Sequence, residues 1–181
     1  MVVRISLFTG KLQFIKCMAN AHVRKPQNLS VACDGRMIVT GLYDKAVTPD
    51  GTEMLLTFTA QDCNVSPCSA VYHQNMFFVS YQKAHCIKVF NEEGVFLYDV
   101  GSKGSGDGQL HCPTRLAIDK FNNLIVCDKS NSRLQFFTLG GKFVNSTLAR
   151  QFNRPCAIAT SNSGYVIVTY DVKNAHVKVF H

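Results

Sequence analysis

Gly104-Ser105-Gly106-Asp107-Gly108-Gln109-Leu110, then Pro113, Leu116-Ala117-Ile118-Asp119, Asn122-Asn123-Leu124-Ile125-Val126, Asp128, Asn131, Arg133 and Leu134-Gln135-Phe136-Phe137 form the stretch whose reading decides the fold. A glycine-rich lead stops at a proline. Two short runs then meet at Asn122-Asn123, a pair suited to a tight hairpin turn. The third run alternates and ends in aromatic residues, as a strand does. Gly141 introduces a fourth, Phe143-Val144-Asn145-Ser146.

The same punctuation recurs on both sides. Four of the five prolines stand at Pro26, Pro67, Pro113 and Pro155, spaced 41, 46 and 42 residues apart. Turn glycines at Gly10, Gly51, Gly94 and Gly141 are spaced 41, 43 and 47. Two independent markers at one period predict a repeat of ~40–45 residues, the length of a propeller blade. Each proline leads into paired runs: Leu29–Ala32 with Arg36–Thr40, Ala70–Tyr72 with Met76–Ser80, Leu116–Asp119 with Asn123–Cys127, and Ile158–Thr160 with Tyr165–Thr169. Third runs follow at Ile87–Phe90, Leu134–Phe137 and Val177–Phe180, and no sustained helical periodicity interrupts them. Four strands per repeat predict an all-β propeller. The first unit is the exception: Ala46-Val47-Thr48-Pro49 lacks the terminal aromatic, and a proline there predicts a crippled third strand.

The unit spanning residues 101–143 resembles the NHL repeat closely, with its glycine-rich lead, proline, two strands, Asp, Asn, Arg and aromatic-ended strand. Residues 62–98 and 150–180 resemble it less, and residues 20–58 least. The whole is similar to the NHL propeller at the C-terminus of tripartite-motif (TRIM) proteins. In that family a RING finger, B-boxes and a coiled coil precede the propeller, and this sequence shows neither zinc-ligand spacing nor heptads. The expected organisation is one partial propeller over residues 1–181: the end of a blade at 1–19, blades at 20–61, 62–103 and 104–149, and a partial blade at 150–181. Six blades of about 42 residues need roughly 250 residues, and the chain has 181. The expectation is therefore an open arc of about four blades, a fragment or short relative, with exposed edge strands and an aggregation risk.

Composition sets further limits. Apolar residues make up 46% and charged residues 17%, which excludes long disorder, collagen and coiled coil. No apolar run approaches the ~20 residues of a membrane helix, and Arg4 and Lys11 interrupt any signal-peptide core. Eight cysteines without a Cys-x-x-Cys pair predict reduced, buried thiols and a cytoplasmic location.

Candidate chemistry divides into three classes. A phosphate loop at 101–108 fails, because the glycines lead to a strand and not to a helix N-terminus. An enzyme holding a metal in the central channel needs converging His, Asp or Glu. The inner strands offer Ser30, Ser69, Asp119 and Thr160, with His73 beside a turn, so neither enzyme activity nor a metal, cofactor or small-molecule substrate is expected. Charge is more informative. The net charge is +7, and blade register assigns ten basic side chains to one face against five acidic, and four against six to the other. On the basic face stand Arg24, Lys25, Lys45, Lys83, Lys103, Lys129, Arg133, Arg150, Arg154 and Lys173, with Tyr43, Tyr81, Phe152 and Tyr170 nearby. Cations with interleaved aromatics suit single-stranded RNA, since phosphates pair with the cations while bases stack on rings.

The resemblance implies the same, several family propellers binding RNA on an electropositive face. The blander reading is a solvated rim with tyrosines packed between blades and Arg133 bridged to Asp128. The alternative function is a protein-interaction propeller recruiting substrates for a ubiquitin ligase whose RING lies outside this chain. No membrane partner is expected.

Overall fold

The computed structural model describes residues 2–5, 12–16, 26–31, 37–41, 67–147, 152–170 and 176–181. Two strands open the chain, β1 (Val2–Ile5) and β2 (Leu12–Lys16), paired antiparallel. A second hairpin follows, β3 (Pro26–Val31) with β4 (Met37–Gly41). The first complete blade is β5 (Ser69–His73), β6 (Met76–Tyr81), β7 (Cys86–Asn91) and β8 (Phe96–Val100), in that order across one antiparallel sheet.

Two short strands lie within the glycine-rich lead, β9 (Ser102–Lys103) and β10 (Gln109–Leu110), paired in parallel. The next blade is β11 (Pro113–Ile118), β12 (Asn123–Asp128), β13 (Arg133–Thr138) and β14 (Phe143–Ser146), with one 3-10 turn at Lys129–Asn131. The last sheet holds β15 (Pro155–Thr160), β16 (Val166–Tyr170) and β17 (His176–Phe180).

The structure is therefore an all-β propeller of NHL type, and an incomplete one. Inner strands β3, β5, β11 and β15 lie side by side in chain order. The expected strand pairs are all present. The proposed defect at Ala46–Pro49 lies outside the described residues. Each inner strand begins at or just after its proline, where the missing N–H leaves no ladder bond unmade. Register shifts beside Pro26, Pro113 and Pro155 mark the same adjustment.

Burial explains how the blades stack. Side chains alternate across a strand, and a strand between two neighbouring sheets is buried on both sides. In β6, Phe77, Val79 and Tyr81 pack with Ile38 toward the preceding blade, while Phe78 packs with Leu116, Leu124, Val126 and Phe137 of the next. In β12 the other set, Ile125 and Cys127, packs with Phe152 and Val168 of the last sheet. The second strands thus carry almost unbroken burial, and β7 and β13 are covered on both faces as well. Stacking between blades covers both faces of these third strands, although their sequences alternate. The last sheet has Ile167, Val177 and Val179 exposed on its far side, the side a further blade would cover.

A polar lock and a basic face

The densest polar site lies where the glycine-rich lead meets the β12–β13 turn. Asp128 ends β12 and is 0% exposed. Its Oδ1 accepts the His111 amide at 2.7 Å. Its Oδ2 accepts Asn131 Nδ2 at 2.8 Å, Arg133 Nε at 2.9 Å and Gln135 Nε2 at 3.1 Å.

The donors in turn hold the lead. Arg133 Nη2 donates to the Gly106 carbonyl at 2.7 Å and the Gln109 carbonyl at 2.9 Å. Asn131 Nδ2 donates to the Gly104 carbonyl at 2.9 Å, and Gln135 Oε1 accepts the Gly108 amide at 3.0 Å. A buried carboxylate with one charged partner and three further donors has its lone pairs satisfied, as burial requires. The glycines are needed because the lead runs close to these groups. Gly101 has φ +76°, and a Cβ there would stand 2.6 Å from Leu110 Cδ1. The Gly104, Gly106 and Gly108 amides of this lead all bond within the protein, to the Leu110 carbonyl, Gln109 Oε1 and Gln135 Oε1.

The lock also fixes which loops share a face. The Ser130 amide donates to the His111 carbonyl at 3.0 Å, and the Phe152 amide to the Ser132 carbonyl at 3.3 Å. The Cys112 amide donates to His85 Nδ1 at 3.0 Å. Turns β6–β7 and β12–β13 therefore join the blade-to-blade connections on one side. On this face Lys83, Lys103 and Arg154 are exposed and Lys129 is half-buried. Asp107 is exposed, and Asp128 is neutralised by Arg133. The opposite side carries Glu92, Glu93, Asp119, Lys120 and Lys142 in the other turns. There His73 Nε2 meets Asn122 Oδ1 at 2.8 Å, an exposed contact between turns of neighbouring blades.

Several residues assigned to RNA contact from sequence have other work. Arg133 is 5% exposed and belongs to the lock. Tyr81 is 0% exposed, in the core between blades. Phe152 is equally buried, in edge contact with half-buried Tyr170 at 5.9 Å. Strand pairing shows why. Tyr170 and Asp128 stand opposite Pro155 and Pro113, and Tyr81 ends β6 at the corresponding place, a structural position of the repeat. Lys83, Lys129 and Arg154 do reach the basic face. Arg24, Lys25, Tyr43, Lys45, Arg150 and Lys173 lie outside the described residues. Among the described residues of these connections, His85 and His111 present their rings together, with centroids 5.1 Å apart. Burial first, then His111 and Lys103, lower the pKa of His85, while Asp128 opposes the shift. Sequence reading passed over this pair because its members lie 26 residues apart on different connections.

The central channel is a cavity of about 620 Å³ lined by the inner strands. Its polar side chains mostly stitch blades together. Ser30 Oγ donates to the Ala70 carbonyl at 2.6 Å, Thr160 Oγ1 to the Ile118 carbonyl at 2.8 Å, and Asn28 Nδ2 to Ser69 Oγ at 3.0 Å. Asp119 Oδ1 accepts the amides of Phe121 and Asn123 at 2.9 and 2.8 Å, closing its own turn. The lining also includes His73, whose Nε2 meets Asn122 Oδ1 in the turn that Asp119 closes.

Cys68, Cys86, Cys112, Cys127 and Cys156 are free thiols. Burial pushes the Cys68 and Cys127 thiols up, away from the reactive thiolate. Among the described residues no helix is long and apolar enough to cross a membrane.

A lead, four-stranded sheets and a polar lock at the turn define an NHL-type propeller. A family model described as a 6-bladed beta-propeller (DUF5128) matches residues 51–180, and the chain belongs to that family. It is 32% identical over 101 residues, 55% of its length, to "Protein brain tumor" of Drosophila melanogaster. It is 42% identical over 45 residues, 25% of its length, to "Protein lin-41" of Caenorhabditis elegans. With "E3 ubiquitin-protein ligase TRIM71" of Rattus norvegicus the identity is 40% over 50 residues, 28% of the chain. These are TRIM-NHL proteins, and the aligned stretches span 10%, 4% and 6% of their lengths. Among solved structures, the nidogen/laminin complex superposes with TM-score 0.71 at 15% identity, over 93% of this chain and 63% of that one. Virginiamycin B lyase from Staphylococcus aureus gives 0.66 at 14%, over 98% and 61%. At such identities the likeness is one of fold.

Proposed function

We propose that the chain is a non-enzymatic recognition scaffold that binds single-stranded RNA on its basic face, in post-transcriptional regulation in the cytoplasm. The observation that carries this reading is the charge left over on that face. Asp128 is cancelled by Arg133, so exposed Lys83, Lys103 and Arg154 and half-buried Lys129 stand against Asp107 alone among the described residues of these loops. Phosphates are the anions such a surface recruits, and the His85 and His111 rings offer faces for a base.

Three or four phosphate contacts give a slope of about −2 to −3 in log affinity against log salt for a single strand. Fluorescence anisotropy with labelled single-stranded RNA over a salt series measures it. The triple variant Lys83→Glu, Lys129→Glu, Arg154→Glu reverses the patch and abolishes binding at moderate salt. Retention of full affinity, or no binding by the parent at low salt, overturns the reading.

A second reading is favoured by the name of the rat relative, an E3 ubiquitin-protein ligase. Here the propeller presents substrate proteins to a ligase domain outside this chain. A pull-down that keeps its protein partners after nuclease treatment supports it against RNA.

A further inference from the structure

Two repeat positions at each of the two blade junctions among the described residues adopt left-handed backbone without glycine. Between the two complete blades they are His85 (φ 60°) and Cys112 (φ 54°), and at the next junction Ser132 (φ 56°) and Arg154 (φ 54°). The backbone conformation therefore belongs to the repeat, whereas an imidazole facing a thiol belongs to this junction alone of the two. His111 adds a second imidazole beside the first. One donor atom from each of the three side chains lies within 4.8 Å of the other two.

We propose that His85, His111 and Cys112 bind a zinc-class metal ion on the face that carries the blade-to-blade connections. Two imidazoles and a thiolate match the donor softness of Zn²⁺ and its chemical stand-in Co²⁺, and not that of Mg²⁺ or Ca²⁺. Bonds of about 2.0 Å to nitrogen and 2.3 Å to sulfur put tetrahedral donors roughly 3.5 Å apart. The three atoms must close by about an ångström, and the exposed His111 side chain has room to move. The backbone beneath them is held firmly: the His111 amide rests on Asp128 and its carbonyl on Ser130. Such support of ligand-bearing segments is what metal sites require.

Binding releases one proton, that of the Cys112 thiol, to solvent, and water fills the fourth position. His85 Nδ1 now accepts the Cys112 amide. Ligation by His85 gives up that hydrogen bond, so the ion exchanges more readily than in a closed four-ligand site.

The test is a Co²⁺ titration of the whole untagged chain under reducing conditions, followed by absorption. One equivalent is expected to bring a thiolate-to-cobalt charge-transfer band and a tetrahedral ligand-field band, both displaced by Zn²⁺. Cys112→Ser removes the first band, and His85→Ala or His111→Ala each weaken binding by about tenfold or more. No charge-transfer band, or one that survives Cys112→Ser, overturns the proposal. Should a variant fail to fold, alkylation of the parent gives an independent reading by peptide mass spectrometry. Zn²⁺ is expected to slow modification of Cys112 severalfold, and unchanged labelling overturns the site.

Discussion

The two complete blades share strand order, register and stacking, yet they close their junction corners by different chemistry. In the blade β11–β14 the last residue of the second strand is Asp128, and a buried ion pair with Arg133 grips the preceding lead. In the blade β5–β8 the corresponding place holds Tyr81, packed with Ile38, Phe77 and Phe90. A propeller corner can thus be filled by an aromatic ring or by a charge network. The two differ in what they specify. A ring asks for volume and tolerates small shifts, whereas the network fixes the path of residues 104–109 bond by bond. Buried ion pairs add little net stability over apolar packing, but removing one partner strands the other.

That difference can be broken directly. Asp128→Ala leaves a buried guanidinium and three further donors without their acceptor, and a loss of about 3–5 kcal/mol is expected in urea unfolding. Asp128→Asn with Arg133→Met removes both charges together and is expected to cost clearly less than Asp128→Ala alone. Equal losses would show that the charge pairing is not what holds the corner. Tyr81→Ala is expected to cost about 3–5 kcal/mol, here through cavity formation, as for other large aromatic truncations. The Asp128→Ala loss should come with protease cleavage within residues 101–111; the Tyr81→Ala loss should not.

Gly101→Ala probes the lead itself. Its positive φ and the Leu110 contact predict a loss of about 1–3 kcal/mol by thermal melting. At the bottom of the scale stands Lys88 with Asp99, a 3.0 Å pair on the outer strands with Asp99 largely solvated. Lys88→Ala is expected to change the pairing contribution by less than about 1 kcal/mol, an effect that high salt erases.

The same junction gives a pH signature. His85 holds its proton less tightly folded than unfolded, because burial and the nearby His111 and Lys103 disfavour the cation. Its contribution is intact above the ordinary histidine value of about 6.5 and is lost as pH falls through the lowered folded value. Stability measured from pH 7.5 to 5 should decline, and His85→Asn should flatten that decline. An unchanged profile would assign the decline to other groups.

Much of the architecture was legible from the proline and glycine ladders, because turn residues act locally and mark every blade at the same phase. The hairpin turns and the alternating runs needed nothing else. The side that carries the β6–β7 and β12–β13 turns was legible in outline too, since strand order alone puts those turns beside the blade-to-blade connections. Individual contact residues were not. Arg133, Tyr81 and Tyr170 look like cations and rings beside a rim, but burial depends on what the neighbouring blade places against them. His85 and His111 were missed for the converse reason, since two connections distant in the chain meet only when blades stack.

The sequence by itself determined that this protein is a repeat of short strands with a glycine-rich lead, since period, turn chemistry and alternation are properties of neighbouring residues. Tertiary structure alone decided which polar groups are spent and which remain. Asp128 and Arg133 vanish into the lock, the channel serines and threonines tie blades together, and a lysine-rich rim with two imidazoles and a thiol is left facing solvent. The physical reason is that burial and hydrogen-bond satisfaction depend on groups that only the fold brings together, from 3 residues apart within the lock to 42 apart in the channel lining.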